Sequence, residues 1–351
     1  MMKGVVFLGE RKLELREFPD PVPGPGEVVI EIKASGMCGS DLKFYRAGKG
    51  GGAASLGLGG GGPVIAGHEP CGVVVAIGPG IGEREARIGQ RVMQHHYRGC
   101  GVCKHCSTGW MQLCVEGVKE VYGVTGHGAH ARYLKCPART LVPLPDELSF
   151  TTGAAISCGT GTAWGALQRL GLRGDHTIAI FGQGPVGLSA TQLAAAMGAR
   201  VIALDTGTER LARAKEFGAD LAIDPGSAGD VVAAIRAATH GEGAHLALDA
   251  SSSPQARAEA VRCVRTWGKV CFVGEGGEVT LDVSNDLLRR QVTLIGSWTF
   301  STVGQAECAR FIADRGIEVD RLFTHRWRLE EAEEAYRLFD TQTTGKGVFV
   351  M

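Results

Sequence analysis

From about residue 153 the chain alternates short apolar runs with longer helical ones, and this alternation narrows the possible folds more than any other feature. Residues 177–181, 201–204, 221–223, 245–249, 269–273 and 292–297 are brief and rich in Val, Ile, Leu and Ala, which suits buried strands. Residues 186–197, 209–217, 230–238 and 254–264 lie between them and suit helices. Strands buried on both faces and joined by helices run parallel through right-handed crossovers, so this stretch is expected to form a doubly wound parallel α/β sheet of the Rossmann type.

One turn in that stretch carries a binding signature. Gly182-Gln183-Gly184-Pro185-Val186-Gly187 follows the first expected strand and opens the first expected helix. Glycines at this spacing allow a tight turn, approach of backbone to a pyrophosphate, and close helix–strand contact. The helix start then offers unpaired N–H groups to an anion. Asp205 ends the next strand, 23 residues after Gly182. Its carboxylate suits both hydroxyls of an adenosine ribose and repels a 2′-phosphate, so NAD is favoured over NADP, although Arg210 close by works against that preference.

The first 150 residues read differently, as strands broken by Gly and Pro. Val28, Ile30 and Ile32 alternate with Glu27, Glu31 and Lys33, and residues 71–77 and 131–136 also suit strands. Residues 329–339 suit a helix and 347–351 a closing strand. The expected division is an irregular β-rich domain over 1–153, a dinucleotide-binding domain over 154–297, and a return of 298–351 to the first domain. A chain of 351 residues is long enough for two domains of the usual ~100–200 residues.

Lys and Arg number 37, as do Asp and Glu, and no dense basic run is present, so neither a nucleic acid nor an acidic membrane is an expected partner. No stretch approaches the ~18–20 apolar residues of a membrane span, and residues 1–10 lack the pattern of a secretory signal. A soluble, cytoplasmic protein is expected. In such a chain eleven cysteines point to metal or catalysis before disulfides.

Cys100, Cys103, Cys106 and Cys114 form the most specific metal signal. Two-residue gaps let thiolates converge on one ion at ~2.3 Å, and four of them close a tetrahedron with no position left for substrate. A structural zinc is the expected occupant. An iron–sulfur cluster and a nucleic-acid zinc ribbon are the competing readings. Gly, Lys and His between the ligands suit a solvent-facing zinc lobe, and the charge balance argues against the ribbon. Cys71, Cys136, Cys263, Cys271 and Cys308 read as small core residues.

Cys38 in Gly36-Met37-Cys38-Gly39-Ser40-Asp41, His68 in Gly67-His68-Glu69 and Cys158 in Ser157-Cys158-Gly159 are too far apart for spacing to link them. With the four-cysteine lobe and the later nucleotide turn, however, they place the whole chain in a recognisable pattern. It resembles the zinc-containing medium-chain dehydrogenases of the alcohol/polyol dehydrogenase family, which implies a GroES-like catalytic domain beside the Rossmann domain.

The resemblance implies two zinc ions per subunit. One is a catalytic zinc on Cys38, His68 and Cys158, a set that leaves one position open. Glu69 matches the family's acidic neighbour of the metal and Asp41 the partner that orients His68; the competing reading of both is ordinary surface carboxylates. Ser40 occupies the proton-relay position, and Lys43 stands where some members carry a relay His. Thr162 and Val186 match positions that pack on nicotinamide, and Val273 and Gly274 follow beneath it. Many polyol and threonine dehydrogenases place Glu where Cys158 stands.

His96 and His130 fall at pocket positions that are often aromatic. Two imidazoles facing the metal would favour a polyol, hydroxy acid or amino alcohol over a long aliphatic alcohol. Trp298 and Phe300 are assigned to the pocket, a subunit contact or the core, and the glycine run over 48–62 to a flap near the cleft or a plain linker. The expected activity is zinc-dependent hydride transfer between an alcohol or polyol, a secondary alcohol favoured, and NAD. Its alternatives are a threonine-type or glutathione–formaldehyde dehydrogenase and a non-catalytic NAD-binding zinc protein. A homodimer or homotetramer is expected, with residues 292–297 at the sheet edge.

Overall fold

The computed structural model describes residues 1–48, 63–342 and 345–351. The flap or linker expected over 48–62 therefore lies, Gly48 aside, outside the described residues. The chain divides into two units, one of residues 1–158 and 300–351 and the other of 159–299. Both divisions fall later than the pattern change in the sequence suggests. Helix Phe150–Ile156 is the reason for the first: it is buried from Thr151 to Ile156 and packs on strands Glu27–Gly36 and Glu69–Ile77 of the first unit. Among the described residues no helix is long and apolar enough to cross a membrane.

The second unit is a six-stranded sheet in the order Leu221–Ile223, Arg200–Leu204, Thr177–Phe181, Ala244–Asp249, Val264–Phe272, Thr293–Gly296. Every neighbouring pair is parallel. Starting in the middle, running outward one way and then the other, this is the Rossmann order. Its core is the apolar strand set itself, with Ala179, Phe181, Ile202, Leu204 and Ala247 almost wholly buried. The expected helix 254–264 and strand 269–273 meet without a loop: the helix is Pro254–Cys263 and the strand starts at Val264, whose backbone is already extended.

The first unit is built on strand Glu27–Gly36, whose Val28, Ile30 and Ile32 point inward while Glu27 and Glu31 stay partly exposed. It pairs antiparallel with Glu69–Ile77, Tyr133–Pro137 and Lys346–Val350. The last of these shows the carboxy-terminal segment returning to this unit. Expected helix 329–339 is a short 3₁₀ turn, Leu329–Glu331, followed by helix Ala332–Asp340. Register matters most at one point. Gly36 lies opposite both Glu69 and Val348, which brings the residues after position 36, those before 69 and those before 348 to one end of the sheet.

Candidate functional site

Cys38 follows the central strand, His68 precedes strand Glu69–Ile77, and Cys158 follows helix Phe150–Ile156. Register and helix packing bring them together: one ligand atom from each of Cys38, His68, Glu69 and Cys158 lies within 4.8 Å of all the others. The Cys38 and Cys158 Sγ atoms are 3.8 Å apart. A disulfide would need ~2.0 Å. Two sulfurs each ~2.3 Å from the centre of a tetrahedron stand about 3.8 Å apart. The donor set, two thiols and an imidazole, is that of a zinc site, and the residues present fit the ion.

His68 is oriented by Asp41, whose Oδ1 lies 2.9 Å from Nδ1, so Nε2 is the nitrogen offered to a metal. Asp41 opens helix Asp41–Arg46, and its Oδ2 accepts from the Cys38 backbone N–H at 2.9 Å. Ser40 Oγ lies 3.2 Å from both Cys38 Sγ and His68 Nε2. The hydrogen bond from Cys158 draws the Cys38 thiol well below its ordinary range toward thiolate, against the opposing effect of burial. Burial disfavours charge on His68, yet Asp41 and Cys38 outweigh it and hold the ring well above the usual value.

Glu69 is fully buried and paired with Lys346, whose Nζ also donates to the Met37 carbonyl at 2.9 Å. A side chain at Gly36 would overlap the Glu69 carboxylate. Burial pushes the Glu69 carboxyl up, and the Lys346 ammonium pulls it back. Lys43 lies on the exposed face of its helix.

His96 is buried beside the ligand set, its ring centroid 5.2 Å from that of His68. Its Nδ1 is 3.0 Å from the Ser157 carbonyl oxygen. A carbonyl only accepts, so Nδ1 carries the proton and Nε2 remains an acceptor. Burial, then the nearby His68 and His95, hold His96 well below its ordinary value and so neutral. His130 is held in the core instead, not at the pocket position expected of it. Both of its ring nitrogens are engaged behind the metal site, Nδ1 2.8 Å from Ser35 Oγ and Nε2 2.7 Å from the Tyr336 hydroxyl. Phe300 is buried, and Trp298 is about half exposed.

The ligand atoms of Cys100, Cys103, Cys106 and Cys114 also lie within 4.8 Å of one another. Backbone N–H groups of Cys100 and Cys103 donate to the sulfurs of Cys114 and Cys100, each at 3.3 Å. A side chain at Gly99 would strike the Cys106 sulfur. Four thiolate donors again fit zinc.

In the second unit each glycine of the nucleotide turn has its own reason. Gly182 has φ +88°, and a side chain on Gly187 would overlap the Gly182 carbonyl oxygen. A Cβ on Gly184 would meet no protein atom within 4 Å, so the protein's own packing does not require glycine there. Space kept clear in front of a helix start is where a phosphate approaches. Helix Pro185–Ala196 has no side-chain cap, which leaves the Val186 and Gly187 N–H groups available.

Asp205 accepts from the Gln183 backbone N–H at 2.6 Å and from that of Gly207 at 2.8 Å, and Arg210 Nη1 stands 3.7 Å from it. The carboxylate thus braces the turn as well as lying where a ribose is expected. Thr162, Val186 and Val273 are half-buried at the starts of helices Gly159–Leu170 and Pro185–Ala196 and at the end of strand Val264–Phe272.

Sequence reasoning missed three partners. Lys346 and Tyr336 come from the carboxy-terminal segment, and Arg257 forms a buried ion pair with Asp249 at 3.1 Å while donating to the Gly274 carbonyl at 2.6 Å.

Residues 24–146 match the alcohol dehydrogenase GroES-like domain and residues 185–314 the zinc-binding dehydrogenase domain. The chain is 38% identical over 348 residues to the uncharacterized zinc-type alcohol dehydrogenase-like protein YphC of Escherichia coli K12, covering 97% of this chain and 96% of that one. It is similar in structure to the alcohol dehydrogenase TADH from Thermus sp. ATN1, with TM-score 0.89, 28% identity and 99% of each chain covered. It is likewise similar to the 2R,3R-butanediol dehydrogenase from Bacillus subtilis, with TM-score 0.86, 26% identity and 100% of each chain covered.

Proposed function

The chain belongs to the zinc-type alcohol dehydrogenase family, and from that premise we propose that it oxidises secondary alcohols bearing a second hydroxyl group, diols and polyols, with NAD. The observation that carries this reading is the convergence of Cys38, His68 and Cys158, with Ser40 against them. When bound, zinc supplies Lewis acidity to the alcohol oxygen and NAD takes up the hydride.

The chain's own residues do the rest. Ser40 Oγ holds the proton that leaves the alcohol and hands it on toward solvent; Lys43, on an exposed face, is not needed as an acceptor. His96, neutral and with Nε2 as an acceptor, receives a hydrogen bond from the substrate's second hydroxyl. The same lone pair repels a carboxylate, so hydroxy acids are disfavoured. Gly182, Gly184, Gly187 and the helix start after them hold the pyrophosphate, and Asp205 the adenosine ribose, which selects NAD over NADP.

We also propose a cytoplasmic homodimer or homotetramer. Strand Thr293–Gly296 ends the sheet and exposes Leu294, an edge that a second copy can extend. Light scattering of the wild type and of Leu294→Lys tests that contact.

Rates of NADH formation across matched mono-alcohols, vicinal diols and hydroxy acids test the activity. Diols are expected to give the highest kcat/KM, and His96→Phe to erase their advantage over mono-alcohols by about tenfold, a loss of ~1.4 kcal/mol. Equal kcat/KM for all classes in the wild type would end the substrate assignment. An amino alcohol offers a donor to the same His96 lone pair, so L-threonine belongs in the panel as the alternative. A chelator that strips the accessible zinc should abolish turnover; a non-catalytic binding protein has none to lose.

A further inference from the structure

Behind His68 a chain of hydrogen bonds continues past Asp41 into the core of the first unit. Tyr336 OH lies 3.2 Å from Asp41 Oδ2, His130 Nε2 lies 2.7 Å from the Tyr336 hydroxyl, and Ser35 Oγ lies 2.8 Å from His130 Nδ1. Ser35, His130 and Tyr336 are wholly buried, and Asp41 nearly so. The three outer members come from three parts of the chain: strand Glu27–Gly36, the loop before strand Tyr133–Pro137, and helix Ala332–Asp340.

The direction of each bond follows from the one before it. An ionised carboxylate only accepts, so the Tyr336 hydroxyl donates to Asp41. Its oxygen is then an acceptor, so His130 carries its proton on Nε2 and donates to Tyr336. A neutral ring protonated there has a lone pair on Nδ1, which accepts from the Ser35 hydroxyl. The Cys38 backbone N–H donates to the same carboxylate and His68 Nδ1 lies 2.9 Å from it, so the array converges on Asp41. Aligned bonds of this kind polarise and strengthen one another.

A separate observation shows that the fold is shaped around this ring. Gly67, immediately before His68, has φ +90°, and a side chain there would overlap the His130 imidazole. The glycine beside the ligand therefore admits the His130 ring.

We propose that Tyr336 and His130 are positioning residues of the metal site. By fixing the Asp41 carboxylate they hold His68 in the tautomer and orientation that offers Nε2 to the ion. The proposal rests on the zinc-site reading given above, and the wild-type zinc content separates the two.

The test is zinc affinity in the purified full chain, read by competition with a chromogenic chelator, with the four-cysteine lobe as internal reference. The wild type should hold two zinc ions. Tyr336→Phe, which removes only the hydroxyl, should weaken one of them by about 10- to 100-fold and leave the lobe unchanged. Ser35→Ala, at the far end, should weaken it less. After cobalt exchange, Tyr336→Phe should also shift the visible ligand-field bands. Phe7→Leu is the packing control, since Phe7 stacks edge-on against Tyr336 at 4.8 Å without joining the chain; it should lower the melting temperature and leave zinc affinity intact.

Wild-type affinity in Tyr336→Phe, or an equal loss in Phe7→Leu, overturns the proposal. A wild type that binds only the lobe's zinc overturns the zinc-site reading itself, and this proposal with it.

Discussion

Lys346 Nζ lies 2.7 Å from Glu69 Oε1 and 2.6 Å from Oε2, and neither side chain reaches solvent. A buried pair of this kind gains little over apolar residues of the same shape, but removing one partner strands the other charge. Lys346→Met should therefore cost about 3–5 kcal/mol in urea unfolding. Adding Glu69→Gln to it should return part of that loss. If the single and double variants unfold together, the charge left behind is not what destabilises the first.

The glycines of the nucleotide turn separate binding from folding. Gly184 has φ −70° and ψ −173°, which any residue adopts, and its missing Cβ faces open space. Gly184→Val should melt like the wild type and raise the Kd for NADH at least tenfold by fluorescence titration. Gly187→Ala should lower the melting temperature by several degrees, because its Cβ would overlap the Gly182 carbonyl oxygen. Unaltered NADH affinity in Gly184→Val would remove the pyrophosphate from this turn.

Features set by neighbouring residues were legible in the sequence, and those set by register were not. The four-cysteine lobe spans fifteen positions and the glycine turn six, so spacing alone carries them. The parallel sheet follows from its apolar runs, with helix and strand ends shifting where Cys263 passes directly into Val264. By contrast, Cys38 and His68 meet because Gly36 pairs with Glu69, a register no local pattern states.

Lys346 and Tyr336 reach their partners across 277 and 295 residues, and in their own elements they resemble a strand end and a core aromatic. His130 was misplaced for a related reason. Its position suggested a pocket wall, but a nearby tyrosine hydroxyl and Ser35 satisfy both ring nitrogens inside the core.

The cysteines should separate into two reactivity classes. Cys71, Cys136, Cys263, Cys271 and Cys308 are buried, which pushes their thiols up, to about 12 at Cys136, Cys263 and Cys271. Few thiolates form there, so a disulfide reagent should miss them in the folded protein. The other six belong to the two clusters. With zinc bound all eleven should resist; chelation should expose the six, and denaturant the remaining five. A colorimetric thiol count at each stage checks this, and more than six before denaturation contradicts the core assignments.

Acid should unfold the protein partly through His130. Burial lowers its ring to about 4, against an ordinary value near 6.5. Between those values the unfolded chain binds a proton that the folded chain refuses. The stability from the neutral ring is therefore complete above pH ~6.5 and is lost as pH falls toward 4, by about 3 kcal/mol for this group alone. His130→Gln removes the titrating ring while keeping polar atoms near Ser35 and Tyr336. It should be less stable than the wild type at pH 7, with the gap narrowing as pH drops to 4.5. Urea midpoints in a zinc-chelating buffer keep metal release out of both curves, and the other buried histidines, His68, His95 and His96, are common to both proteins. A gap that stays constant from pH 7 to 4.5 would mean that the ring titrates alike in the folded and unfolded chains, and that burial does not hold it neutral.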